Sequence, residues 1–379
     1  MHLPQLTFVR FLAAISIVIF HFARNLYPYN SDELKFLVKQ ANIGVSFFYV
    51  LSGFVMIIAY SNKNEIKFFE YIKNRLARIL PVYYLAILLM TLYLSKFDKP
   101  YLLSNLLLNL FTLQAWVPSK ALTINFAGWS ISVEMFFYVC FPFLFNYIYK
   151  FKKSIDITLS EQLSNYKSIK FISAEHNKKY ILLVILALVY WIGTQFLFDT
   201  LSKSEFNKGF GTESYELLYY FPLMHLNEFI LGNIGGLIFL IYFRHKKINN
   251  DIIILLFVIF SFIPYGYNTF LNPHNGLYSI SFIILIIMLC INNGKIYKAF
   301  SHKSLVLLGE ASYGIYILQV PVFLWSVYML KNYNYSDPYL LFYLPLLILF
   351  IFSIFIFKYF ESPMRKIIKM AHFVSTDKS

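Results

Sequence analysis

Two ionisable side chains, Arg10 and His21, lie in the first long apolar segment of the chain, PQLTFVRFLAAISIVIFHF. An ionisable group within a membrane span is unfavourable by about 3 kcal/mol, so each one needs a partner or a function. Their eleven-residue spacing puts both on one helix face, about 16 Å apart. A neutral imidazole suits proton transfer from a hydroxyl near pH 7, so His21 is a candidate base. The alternatives are a packing histidine and a snorkelling interfacial arginine.

A second basic pair, Arg75 and Arg78, lies in KNRLARILPVYY, one helical turn apart and just before Pro81. Two guanidinium groups at this spacing can hold phosphate oxygens bidentately, which suits a nucleotide-like cofactor. The alternative is that they serve only topology and lipid head groups at the cytoplasmic surface.

One carboxylate, Glu134, is embedded in the apolar stretch FAGWSISVEMFFYVCFPF, four residues after Ser130 and on the same helix face. A carboxylate there can orient a histidine or stabilise its charge, as in acyl transfer. Because His21 and Glu134 are both expected toward the outer side of the membrane, we expect them to meet. The alternative for Glu134 is a structural hydrogen bond or ion pair.

Two other carboxylates in apolar stretches, Glu228 and Glu310, are interpreted as structural. The nearby Gly232, Gly235 and Gly236 indicate close helix packing. Glu310 is expected at a cytoplasmic interface.

The elements that must hold these groups are membrane helices. Of 379 residues, 59% are hydrophobic and only 14% are charged, against about 25% charged in ordinary soluble domains. Apolar runs of about 20 residues match the hydrocarbon core. We therefore predict an all-α, polytopic integral membrane bundle of about ten helices. The predicted spans are 6–25, 43–60, 80–95, 126–149, 180–198, 217–243, 251–267, 277–292, 305–330 and 339–359.

The charge distribution orients the bundle with both termini in the cytoplasm. The net charge of +14 comes from Lys and Arg in short loops rather than on one soluble face, which argues against a nucleic-acid partner. The outer loop 199–216 is acidic by comparison. The apolar stretch 101–116 is placed as a re-entrant or surface helix, because a further crossing would put basic loops outside.

The domain organisation is simple. We predict one transmembrane domain, residues 1–366, with a polar cytoplasmic loop at 150–179, and a basic cytoplasmic tail at 367–379. The N-terminal segment lacks the basic start and cleavage site of a signal peptide, so it is expected to stay as the first span. Cys140 and Cys290 have neither disulfide nor metal-ligand spacing, and no metal is expected.

The order of several motifs resembles the membrane acyltransferase family 3, which includes O-acetyltransferases of lipopolysaccharide and capsule. The resemblance covers nearly the whole chain. It rests on Arg10 and His21 with ten residues between them, GVSFFYVLSGF, RLAR before ILPVYY, WSISVE, SYGIYILQVPV and ESPMRK. Gln319 stands where the family frequently has His, and this amide cannot titrate.

The resemblance implies that His21 is catalytic, that Arg10 supports it, and that Arg75 and Arg78 bind acyl-coenzyme A. Within WSISVE it implies a functional Glu134, with Trp129 and Ser132 as supporting residues. It also implies transfer of an acyl group, by default acetyl from acetyl-CoA, to a surface glycan or its lipid-linked precursor. The location implied is the bacterial inner (cytoplasmic) membrane, among membrane lipids.

A transporter or flippase of a lipid-linked sugar is the alternative from another class. Its buried polar residues would line a pathway rather than a reaction centre. Inverted repeats would favour it, and the sequence shows none clearly.

Overall fold

The computed structural model describes residues 3–41, 43–97, 103–149, 174–262 and 274–370. Within these ranges the regular structure is helical and there is no β-strand. The helices are α1 (Pro4–Phe22), α2 (Lys35–Lys39), α3 (Ile43–Tyr60), α4 (Phe68–Lys96), α5 (Leu103–Leu110), α6 (Trp129–Phe143), α7 (Ala174–Lys203), α8 (Glu213–Tyr219), α9 (Pro222–Ile238), α10 (Asp251–Phe262), α11 (Ser279–Ile291), α12 (Lys295–Phe300), α13 (Lys303–Glu310), α14 (Ser312–Asn332), α15 (Leu340–Ile356) and α16 (Ser362–Met370). Short π-helical turns extend three of them, at Leu144–Tyr149, Phe239–Phe243 and Phe357–Glu361.

Eight segments in the described ranges are at least 18 residues long and apolar enough to cross a membrane. They are Pro4–Phe22, Ile43–Tyr60, Phe68–Lys96, Phe126–Tyr149, Lys178–Lys203, Glu213–Phe243, Ser312–Asn332 and Leu340–Met370. Two shorter apolar helices are Asp251–Ser261 and Ser279–Ile291. The prediction of a polytopic all-α membrane protein is confirmed. The count of ten crossings and the cytoplasmic termini stay predictions.

The predicted span 305–330 is wrong as a single helix. Two helices, α13 and α14, meet at Ala311 instead. Gly309 lies so close to the first helix that a Cβ atom there would be 2.0 Å from the carbonyl oxygen of Thr7. The hydroxyl of Ser312 then donates to the carbonyl of Gly309 at 2.6 Å. Backbone contact with α1 therefore accompanies the turn, and hydropathy does not report such contact.

The apolar stretch 101–116 contains α5, which has eight residues. Its length of about 12 Å is too short to cross a hydrocarbon core of about 30 Å. Residues 98–102 lie outside the described ranges, as do most of the predicted loop 150–179 and residues 371–379 of the predicted tail. The described part of the tail, 367–370, continues α16 across the predicted domain boundary.

The most extensive helix contact within the described ranges joins α3 to α9. A Cβ atom on Gly53 would lie 2.3 Å from the carbonyl oxygen of Phe229, and one on Gly232 would lie 2.1 Å from that of Val50. Small residues let membrane helices approach closely where apolar lipid gives no hydrophobic driving force. The prediction that glycines in the α9 segment serve close packing is confirmed. Of these two helices, α3 lines the cavity described next.

Candidate active site

A cavity of about 320 Å³ lies between α1, α3, α4, α6 and α14. Its polar wall consists of Thr7, Arg10, Tyr49, Ser52, Arg75, Arg78, Ser130, Glu134, Tyr138, Tyr313 and Tyr316. Three arginines face one carboxylate, so the lining has a net positive charge. A cavity with this charge among membrane helices is suited to an anionic ligand, because apolar surroundings solvate guanidinium groups poorly.

Arg10 joins Arg75 and Arg78 in this cavity, although the sequence spacing did not relate them. The charges that act on Arg10 include those of Arg78, Glu134 and Glu361. Within the described part of the chain, neither Arg10 nor Arg78 makes a hydrogen bond or an ion pair with protein. The structure therefore places Arg10 in the anion-attracting cavity rather than beside His21.

Arg75 is held by aromatic rings. Its Nη2 donates to the hydroxyl of Tyr60 at 3.2 Å. Its guanidinium carbon lies 5.3 Å from the ring centroid of Tyr71, 5.5 Å from that of Tyr60 and 5.9 Å from that of Tyr138. Cation–π contacts of this kind hold a guanidinium in place without neutralising its charge. Arg75 thus keeps a fixed position with its positive charge available.

Glu134 is hydrogen-bonded within the cavity wall. The hydroxyl of Tyr138, one helical turn further along α6, donates to its Oε1 at 2.5 Å, and Oγ of Ser52 donates to the same oxygen at 3.4 Å. Tyr138 is spaced four residues after Glu134, which is the one sequence signal that pointed to it. Ser52 comes from α3 and gave no signal.

His21 lies outside the cavity lining and pairs with Gln319. The expected hydrogen bond between His21 and Glu134 is not formed. Ser130 of α6 contacts Tyr316 of α14, and from this contact Glu134 and Gln319 lie in opposite directions, four and three residues away. At 1.5 Å per residue, Glu134 is therefore about 10 Å from the level of the His21–Gln319 pair along the helix axes.

The pairing fixes the tautomer of His21. Nε2 of Gln319 donates to the carbonyl of Tyr316 at 2.7 Å, so the amide must present its oxygen to the histidine. The distance from this Oε1 to Nδ1 of His21 is 3.0 Å. Because a carboxamide oxygen only accepts, Nδ1 carries the proton and Nε2 of the neutral ring has the free lone pair. An edge contact with Phe126 at 4.8 Å further holds the imidazole ring.

Tyr316 lines the cavity together with Ser130. Its hydroxyl lies 2.8 Å from Oγ of Ser130 and donates to the carbonyl of Ala127 at 3.2 Å. One turn further along α14 is Gln319. The helix α14 therefore carries both Tyr316, which lines the cavity, and Gln319, which contacts His21.

The two other predicted supporting residues lie behind the cavity wall. Trp129 is buried, with its ring centroid 5.3 Å from that of His225. Ser132 is fully buried and its hydroxyl has no hydrogen-bond partner in the described chain. Neither lines the cavity.

A buried histidine–carboxylate pair escaped the sequence reasoning. Nδ1 of His225 lies 3.0 Å from Oε2 of Glu228, and its Nε2 lies 3.1 Å from the carbonyl oxygen of Tyr219. The i,i+3 spacing of these two residues was the signal. The interpretation of Glu228 as structural agrees with this pairing. Glu310 is exposed at the end of α13. Within the described ranges, no group of three or more His, Cys, Asp or Glu side chains is arranged to hold a metal ion.

A family model described as an acyltransferase domain, that of acyltransferase family 3, matches residues 3–359. The chain belongs to the acyltransferase 3 family. It is 27% identical over 158 residues to acyltransferase MdmB of Streptomyces mycarofaciens, covering 39% of this chain and 40% of that protein. It is 23% identical over 352 residues to the peptidoglycan O-acetyltransferase OatA of Listeria monocytogenes, covering 85% of this chain and 49% of the relative.

A third relative is the O-acetyltransferase OatA of Staphylococcus aureus, 23% identical over 400 aligned residues, covering 96% of this chain and 57% of the relative. The chain thus spans 40 to 57% of the length of these three relatives. No solved structure matches.

Proposed function

We propose that this acyltransferase-family protein transfers an acyl group, acetyl by default, from cytoplasmic acyl-CoA to a hydroxyl of a cell-surface polysaccharide or its lipid-linked precursor. The observation that carries the proposal is the cavity in which Arg10 and Arg78 lie without an anionic partner in the described chain. The names of the OatA relatives support an O-acetyl group and a glycan acceptor. The location that fits is the bacterial inner membrane.

The arginines are proposed to bind the phosphates of the donor. A volume of about 320 Å³ is at the small end of ligand cavities, which run from about 300 to 1,000 Å³. Such a volume suits the pantetheine arm with its first phosphates rather than a whole coenzyme A. Guanidinium groups bind phosphate with charge-assisted, often bidentate hydrogen bonds. A bound phosphate therefore relieves the repulsion among the arginines, and this relief favours binding of the donor.

The thioester is proposed to approach the outer end of the cavity, where Tyr316 and Ser130 meet. Because His21 lies one turn of α14 beyond this contact, Tyr316 has to move for the acyl carbon to reach it. Glu134, with Tyr138, is proposed to act on the donor side by balancing part of the arginine charge. This role replaces the expected one of orienting His21.

The reaction is proposed to use the free lone pair on Nε2 of His21. On the direct route Nε2 removes the proton of a sugar hydroxyl, the sugar oxygen attacks the thioester carbonyl, and the carbon–sulfur bond breaks. The CoA thiolate leaves and takes up the proton from the imidazolium. On the covalent route Nε2 attacks the thioester carbonyl, the carbon–sulfur bond breaks and the CoA thiolate leaves. The sugar hydroxyl then attacks the acyl carbon, the carbon–nitrogen bond breaks, and the hydroxyl proton goes to the thiolate. In both routes Gln319 holds the ring through Nδ1–H, as the acidic residue of a catalytic triad does, but without a charge.

Surface-glycan NMR tests the proposed function in cells. The strains carry the wild-type protein, no protein or His21→Ala, with membrane levels matched by immunoblot. Loss of one O-acyl signal in both altered strains supports acyl transfer and identifies the acceptor. An unchanged acyl pattern with an altered amount of glycan supports transport of a lipid-linked sugar instead.

A further inference from the structure

We propose that Arg365 and Lys369 of α16, which lie next to Arg75 and Arg78 of α4, form a second phosphate site that takes the 3′-phosphate of coenzyme A. This inference rests on the proposed function, because it concerns the part of the donor that remains outside the cavity. The ligand chemistry is a phosphate monoester on a nucleoside.

The geometry comes from the last helical turns of the described chain. Glu361, Arg365 and Lys369 follow one another at intervals of four residues, so they share one face of the helix. That helix packs along the start of α4. Nζ of Lys73 donates to the carbonyl of Lys369 at 3.1 Å and ties the two helices together.

The charges on this face are out of balance. The charges that act on Arg365 are those of Arg78, Glu361 and Arg75. Those that act on Lys369 are all positive, namely Arg365, Arg75 and Arg78. The charges that act on Glu361 are those of the cations Arg78, Arg10 and Arg365 and of one carboxylate, Glu310.

The carboxylate of Glu361 is itself incompletely satisfied. Glu361 is 4% exposed, and its Oε2 has no hydrogen-bond partner within the described ranges. Positive charge is in excess on this face, and two of its cations, Arg75 and Arg78, also line the cavity. Like charges held this close repel one another, and an anion bound between α4 and α16 would remove the repulsion.

The size of the cavity indicates which anion this is. Coenzyme A has a pantetheine arm, a diphosphate and an adenosine with a 3′-phosphate. If the arm and the diphosphate occupy the cavity and its arginines, the adenosine extends toward the cytoplasmic end. There α16 offers Arg365 and Lys369, of which Lys369 is exposed and Arg365 is half-buried.

The test compares the binding of coenzyme A and of dephospho-coenzyme A to the purified protein by calorimetry, in neutral phosphatidylcholine vesicles. We expect the wild-type protein to bind coenzyme A at least tenfold more tightly. In Arg365→Gln and in Lys369→Gln the Kd of coenzyme A is expected to rise about tenfold while that of dephospho-coenzyme A stays unchanged. Lys366→Gln is the matched control, because Lys366 is exposed on the same helix and its substitution also removes one positive charge.

Three outcomes overturn the inference. If Arg365→Gln raises the Kd of coenzyme A and of dephospho-coenzyme A equally, Arg365 has a packing role with Glu361. An unchanged affinity ratio in both variants removes the second phosphate site. Added phosphatidylglycerol is the third case. If it raises the activity or stability of the wild-type protein but not of either variant, and the ratio of the two Kd values is unchanged, these cations bind a lipid phosphate instead. Failure of the proposed function is a separate result. A protein that binds coenzyme A through this site but consumes no acetyl-CoA would still bind coenzyme A more tightly than dephospho-coenzyme A.

Discussion

The hydroxyl of Tyr316 lies 2.8 Å from Oγ of Ser130 in the lining of the arginine-containing cavity. The same helix carries Gln319 one turn further along, where its side chain contacts His21. The site therefore has two parts that one helix connects. One part has the positive charge that we propose binds the donor, and the other has the imidazole that we propose acts as the base.

Replacing Tyr316 by Phe tests whether this contact separates the two parts. The change removes the hydrogen bonds to Ser130 and Ala127, so we expect a loss of about 1 kcal/mol in stability. We also expect acceptor-independent hydrolysis of acetyl-CoA to rise several-fold, because water reaches the thioester more easily. Hydrolysis and thermal unfolding of the purified protein measure both effects. Unchanged hydrolysis together with a large fall in kcat would mean instead that the tyrosine hydroxyl takes part in the reaction.

Gln319 is expected to act by positioning His21. Gln319→Leu removes the acceptor for Nδ1–H, so both tautomers become accessible and the ring loses its orientation. We expect kcat to fall about tenfold to a hundredfold with KM for acetyl-CoA unchanged. Gln319→His, which restores a side chain that can accept this hydrogen bond, is expected to recover most of the rate. A fall in kcat that is the same in both variants would contradict a positioning role.

Arg78 is expected to contribute to donor affinity. A charge-assisted hydrogen bond contributes about 1.5 to 3 kcal/mol, so Arg78→Gln should raise the Kd of coenzyme A about tenfold to a hundredfold. Bound coenzyme A should then raise the Tm of the wild-type protein more than that of the variant. Arg244→Gln is the control, because Arg244 is half-buried and does not line the cavity. Equal binding by the two variants would remove Arg78 from the donor site.

The contact between α3 and α9 gives a prediction about stability alone. Gly53→Ala places a methyl group 2.3 Å from the carbonyl oxygen of Phe229, so the helices must separate. We expect a loss of about 1 to 3 kcal/mol, seen as a lower Tm in detergent. Gly193→Ala is the control, since no atom lies within 4 Å of a Cβ there and alanine favours the helix. A Tm for Gly53→Ala equal to that of the control would show that the two helices do not pack this closely.

The membrane bundle was predictable because composition and apolar length determine it locally. The spacing of Arg75 and Arg78 likewise predicts that they share one helix face. What the sequence did not predict is which helices meet. Because these spans are apolar on all sides, their pattern does not say which face turns inward. Arg10 was therefore associated with His21 on its own helix rather than with the arginines of α4.

The partner of His21 could not be predicted for a related reason. The chain has 31 tyrosines, so neither Tyr316 nor Tyr138 is distinctive by type. Glu134 and His21 are both polar groups in apolar helices, and sequence reasoning placed them at one depth. Only the antiparallel contact of α6 with α14, through Ser130 and Tyr316, shows the difference in depth.

The central claim is that His21 performs acyl transfer from a donor held in a separate cavity. The most direct measurement is transfer of labelled acetyl from acetyl-CoA to a glycan acceptor by purified wild-type protein and His21→Ala, with coenzyme A affinity measured on the same samples. We expect His21→Ala to bind coenzyme A with the wild-type Kd and to transfer acetyl about 10² to 10⁴ times more slowly. Transfer at the wild-type rate by a folded His21→Ala protein would contradict the account.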